Sequence, residues 1–82
     1  MMLSMPSLRE MKDWTSRRVP YRVADLNIES ASNAQPPVNN ESMLRQGDRY
    51  LLTARSSPDR DGAYREDKFT VKIDRYFQIV KA

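Results

Sequence analysis

The sequence predicts a mainly β fold: a small antiparallel barrel or sandwich with a short N-terminal helix and a long polar loop. Three observations predict it. Phe69, Val71 and Ile73 alternate with Thr70, Lys72 and Asp74, and Phe77 and Ile79 keep the same odd phase, the period of a half-buried strand. Arg49 to Arg55 is a second strand-like run, with Tyr50, Leu51, Leu52 and Ala54 as its apolar members. Between the two lies Pro58-Asp59-Arg60-Asp61-Gly62, dense in turn-forming residues.

The elements follow in order. Ser7 to about Thr15 reads as a short helix, because Ser7 and Glu10 have capping-box spacing and Leu8, Met11 and Trp14 recur on one face. Two helical turns do not hold themselves together in water, so this stripe has to dock on the sheet or on a neighbour. Trp14 is the natural anchor in either case. Arg17 to Val23 looks strand-like, with Val19, Tyr21 and Val23 alternating against Arg18, Pro20 and Arg22. Pro20 cannot donate to a ladder and suits an edge. The apolar phase then slips to Ala24, Leu26 and Ile28, which marks a bulge or the start of another strand.

Ser30 to Ser42 has little to bury and carries Pro36-Pro37, so it reads as a flexible loop or arm. A brief turn follows at Met43 to Gln46 and closes at Gly47, where positive φ is easiest. At Asp74-Arg75-Tyr76 the pattern leaves two arrangements open: one long bent strand or a tight hairpin. The organisation is thus a helix and edge-strand segment (1–29), a loop or arm (30–42) and a β core (43–82), together one domain.

With 82 residues, the chain buries only roughly 60–65 % of its unfolded surface. Such small cores often gain burial from partners, so contacts with copies of itself or with a larger assembly are expected. There is no cysteine and no histidine, which removes disulfide scaffolds, His- or Cys-based metal sites and Cys–His or Ser–His–Asp chemistry. No apolar run approaches the ~20 residues of a membrane helix. The N-terminal "MMLSMPSLREMKDW" lacks the basic and continuous apolar regions of a signal peptide.

Charges are mixed, 14 basic against 11 acidic, with the positive excess lying mostly between Arg9 and Arg22. Asp59 to Gly62 mimics the start of a calcium loop but lacks the further ligands at the required spacing. Paired carboxylates, Glu66 with Asp67 and Asp59 with Asp61, sit in polar sequence and read as surface charges. Two glycines cannot build a phosphate-cradling loop. No catalytic, cofactor or metal-ligating residue is assigned, and an enzyme is not expected. The candidate partner interface is Trp14, Pro20 and Tyr21. Arg17, Arg18 and Arg22, beside Tyr21 and Trp14, are the candidate nucleic-acid contacts, with Tyr64, Tyr76 and Phe77 as further stacking candidates.

Gly47-Asp48-Arg49, Leu51-Leu52, Asp67, Phe69-Thr70-Val71 and Phe77-Gln78-Ile79-Val80 follow the order of a Gly-Asp-Arg-like strand start, an apolar strand, an Asp-led strand and a last strand. Over residues 44–82 this resembles the β-barrel core of tailed-phage head–tail joining proteins, the neck or stopper type. Asp74-Arg75 stands where that family tends to have an Asp-Gly turn. The resemblance implies a non-enzymatic virion protein in a ring at the neck, located in the virion or host cytoplasm, with loops towards neighbours and DNA. Two other expectations stand beside it: an OB-like module for single-stranded nucleic acid, and a small regulator binding one protein partner by strand addition.

Overall fold

The computed structural model describes residues 4–31, 37–40 and 43–82. One helix, α1 (Leu8–Ser16), precedes four strands: β1 (Asp25–Ser30), β2 (Arg49–Arg55), β3 (Glu66–Ile73) and β4 (Ile79–Lys81). The strands form one antiparallel sheet in the order β1-β2-β3-β4. The mainly β class therefore holds. The sheet is an open meander with α1 on one face, not a closed barrel, and β1 and β4 are its two edges.

The helix starts where its capping box places it. Glu10 N–H donates to Ser7 Oγ at 3.0 Å, and Ser7 N–H donates back to Glu10 Oε1 at 3.5 Å, so two donors that the helix cannot satisfy internally find partners. Met11 is fully buried and Trp14 is 8 % exposed, so the stripe docks on the chain's own sheet. Thr15, also fully buried, returns its hydroxyl to the Met11 carbonyl at 2.7 Å and so carries no unpaired donor into the core.

The register sorts the side chains by face. Leu52 lies opposite Ile28 and Phe69, Tyr50 opposite Val71, and Ile73 opposite Ile79. Because side chains alternate along a strand, these residues share the face under α1. With Met11, Trp14 and Leu44 they make the core, and Leu8, Leu26, Val38 and Phe77 pack against it. The other face carries Arg49, Lys68, Thr70 and Lys72, all exposed, and Leu51, half-buried. One side of the sheet is a core and the other is largely solvated, the usual division in an antiparallel sheet.

Two expectations need correction. Arg17 to Val23 is a turn and bend segment, and the edge strand starts later, at Asp25. Pro20 has no N–H to give, and Tyr21 turns its hydroxyl to Asp67 of β3 while Val23 is buried, so the alternation serves separate contacts instead of a ladder. The 30–42 arm falls partly outside the described residues, and Ser30 itself ends β1. Within the arm, Val38 N–H donates to the Ile28 carbonyl at 2.5 Å and Val38 packs on the core.

The open choice at residues 74–76 resolves as a hairpin. Asp74 N–H donates to the Gln78 carbonyl, and a three-residue loop, Arg75-Tyr76-Phe77, reverses the chain. Three-residue hairpin loops need a left-handed residue in the last position. Here Phe77 takes it, at φ 57°.

Candidate functional site

The arginines and aromatics singled out by the sequence are brought together in pairs, not into one surface. The Arg18 guanidinium lies 3.5 Å from the centre of the Trp14 ring and donates to the Trp14 carbonyl at 2.6 Å. A cation there also suits the negative end of the helix dipole. Trp14 meets the Phe69 ring edge-on, with centroids 6.1 Å apart. Trp14 is thus held between an arginine and the sheet, inside the chain's own core.

Tyr21 belongs to a second group. Its hydroxyl donates to Asp67 Oδ2 at 2.6 Å, and the Arg65 guanidinium stands 5.2 Å from its ring. Burial, and then the bond to the Asp67 carboxylate, push the Tyr21 phenol up to about 12. This contact ties the segment after α1 to the start of β3. Asp67 is half-buried beneath a phenol, not the free surface charge that its sequence context implied. Pro20, Arg17 and Arg22 are exposed.

The remaining aromatics lie at opposite ends of the sheet. Tyr64 sits in the β2–β3 connection, 51 % exposed, with the Arg55 guanidinium 5.5 Å from its ring. Tyr76 sits in the β3–β4 hairpin, 55 % exposed, with Arg75 beside it. Tyr50 and Phe69 point into the core, and Tyr50 accepts the Arg45 N–H at its hydroxyl, 2.6 Å away. Burial raises the Tyr50 pKa. No strand face among the described residues presents a row of aromatics on which successive bases could stack.

Asp59 accepts the N–H groups of Asp61 and Ala63 at Oδ1, which makes the calcium-like "DRDG" a turn held by its own carboxylate. No three Asp, Glu, His or Cys side chains converge as a metal site among the described residues. No helix of the described residues is long and apolar enough to cross a membrane.

What stays available is the periphery of the sheet. α1 lies over the core face between two open grooves. One, beside β4, is lined by Pro6, Glu10, Asp13, Arg17, Phe77 and Ile79. The other, beside β1, is lined by Arg9, Lys12, Asp25, Leu26, Ile28 and Val38. The flank of α1 towards β4 is therefore acidic and the flank towards β1 basic. The edges differ too, since the Ile28 carbonyl of β1 already accepts Val38 N–H. Sequence reasoning placed the interface at Trp14, Pro20 and Tyr21 and missed β4. The available signal was a short apolar strand at one end of the sheet pattern, with no proline to protect its edge. Comparison with protein-family models, with curated proteins and with solved structures finds no match.

Proposed function

We propose that this chain is a non-enzymatic interaction subunit that joins a protein assembly by strand addition. The carrying observation is β4: a three-residue edge strand with no strand paired beyond it among the described residues, bordered by a groove that carries Glu10 and Asp13 of α1. Such an edge offers backbone donors and acceptors in a fixed row, and the adjoining groove selects the side chains of what pairs there. The head–tail joining resemblance over residues 44–82 suggests one assembly of this kind, a ring at a virion neck, which would lie in the virion or host cytoplasm.

The OB-like reading has less support. Arg18 is already bonded within the chain, and the exposed tyrosines lie at opposite ends of the sheet. Fluorescence anisotropy of labelled single- and double-stranded DNA across a salt series tests the choice. The interaction-subunit reading expects only weak binding that disappears by about 150 mM salt, the non-specific regime. Saturable binding with a steep salt slope, abolished by Tyr21→Ala and Arg22→Ala, would overturn it in favour of a nucleic-acid module.

A further inference from the structure

We infer that the partner at β4 is a second copy of this chain, joined antiparallel about a two-fold axis through Val80. The inference rests on the strand-addition reading and specifies its partner.

Asp74 N–H donates to the Gln78 carbonyl, and Ala82 N–H donates to the Thr70 carbonyl, each at 3.0 Å. Bonding direction alternates along an antiparallel strand, so Gln78, Val80 and Ala82 bond inward to β3. Ile79 and Lys81 therefore aim their N–H and C=O groups away from the sheet, and none of the backbone bonds of the described residues uses them. A two-fold axis at Val80 sets Ile79 of each copy against Lys81 of the other. Each such pair exchanges both of its backbone bonds, so all outward groups of both strands are satisfied. Val80, exposed beyond what a strand valine needs, meets its own symmetry mate on the outer face.

The side chains agree with this pairing. Lys81 shares the core face with Ile79, because both lie opposite inward-facing residues of β3, Val71 and Ile73. In the paired sheet, the Lys81 side chain of each copy lies next to Ile79 of the other. It enters the groove lined by Glu10, Asp13 and Arg17, where two carboxylates against one guanidinium leave a net negative charge to meet the ammonium, and the two lysines are not directly opposite. The axis runs perpendicular to the sheet, so both helices stay on one side and the two acidic grooves merge into one trough. A head-to-tail pairing of β4 on β1 of another copy would instead require the β1 edge, where Val38 already occupies the Ile28 carbonyl. The isologous pairing is the one the edges permit, and it closes at two copies.

Light scattering on the full chain, across a broad concentration range, tests this. The expected species has twice the 9.6 kDa chain mass. Lys81→Pro removes an outward donor and leaves the inward ladder intact, and Lys81→Glu sets a carboxylate in the partner's acidic groove; each is expected to weaken the dimer by roughly tenfold or more. Asp13→Lys in the Lys81→Glu background is expected to restore it. An unchanged cooperative thermal transition shows that each variant still folds. A mass that stays monomeric overturns the inference, as does a dimer indifferent to both Lys81 variants. A ring heavier than two copies overturns the two-fold pairing while leaving the interaction-subunit reading standing, whereas steep-salt DNA binding removes that reading itself.

Discussion

The turns on either side of β3 use one device and differ in the kind of residue held at positive φ. In the β2–β3 connection Asp59 accepts the N–H groups of Asp61 and Ala63; in the β3–β4 hairpin Asp74 accepts those of Tyr76 and Gln78, both at 2.9 Å. Each turn also needs a residue at positive φ. The first gives that place to Gly62, at φ 80°, and the second to Phe77, at φ 57°. Glycine takes this conformation freely, whereas a side chain there costs about 1–2 kcal/mol. What offsets the cost is position: Phe77 packs on the core and lines the groove between α1 and β4. The β2–β3 turn is closed by local chemistry, and the β3–β4 turn by a tertiary contact.

The largest effect that separates them is expected at the two aspartates. Asp74→Ala should cost about 2 kcal/mol, because charged acceptors are lost from two backbone donors and β4, with only three paired residues, has little else to hold it. Denaturant midpoints measure the loss, and hydrogen exchange should show it concentrated in β4. The Phe77 position sharpens the comparison further. Phe77→Ala loses the ring and keeps the strain, while Phe77→Gly loses the ring and relieves it, so the glycine variant should be the more stable by about 1 kcal/mol. The reverse order would mean that Phe77 is not strained.

Gly62→Ala is the converse substitution. A Cβ there meets no atom within 4 Å, so the cost is that of the backbone alone, about 1 kcal/mol. Asp59→Ala should cost less than Asp74→Ala, roughly 1 kcal/mol or below, because Ser56 independently clasps Arg65 through its backbone N–H and its hydroxyl. Equal losses at the two aspartates in thermal or denaturant unfolding would erase the distinction. The last effect shows only at alkaline pH. The Tyr21 phenol at the β2–β3 end ionises near 10 when unfolded and at about 12 when folded. Its contribution is therefore complete below pH 10 and declines as pH rises towards 12. Tyr21→Phe should remove that decline from a stability-versus-pH curve.

Legibility in the sequence followed the range of the interactions. α1 was readable because Ser7 and Glu10 bond within one turn, and β2 because Gly47 and the Pro58 to Gly62 turn bracket its apolar run. β3 showed its period directly. The β3–β4 hairpin was hidden because its left-handed residue is an aromatic, and the remaining cue was Asp74, a residue suited to accepting turn N–H groups. The Arg17 to Val23 segment misled because its alternation answers to Asp67, 46 residues away, a bond with no local signature. Leu44, 4 % exposed, read as part of a turn and belongs to the core. Of the candidate site residues, Trp14, read as an interface anchor, is buried in the core with Arg18, read as a nucleic-acid contact, over its ring, and the β4 edge emerged only from the ladder register.

The position of Trp14 gives this small protein a built-in optical gauge. It is the sole tryptophan, carried on the helix and enclosed by Arg18 and Phe69. Its emission therefore registers whether α1 is seated on the sheet. Detachment of the helix would redden the emission and open the indole to a dissolved quencher before the strands separate. A single chain thus carries an intrinsic reading of its helix–sheet contact, with no label added.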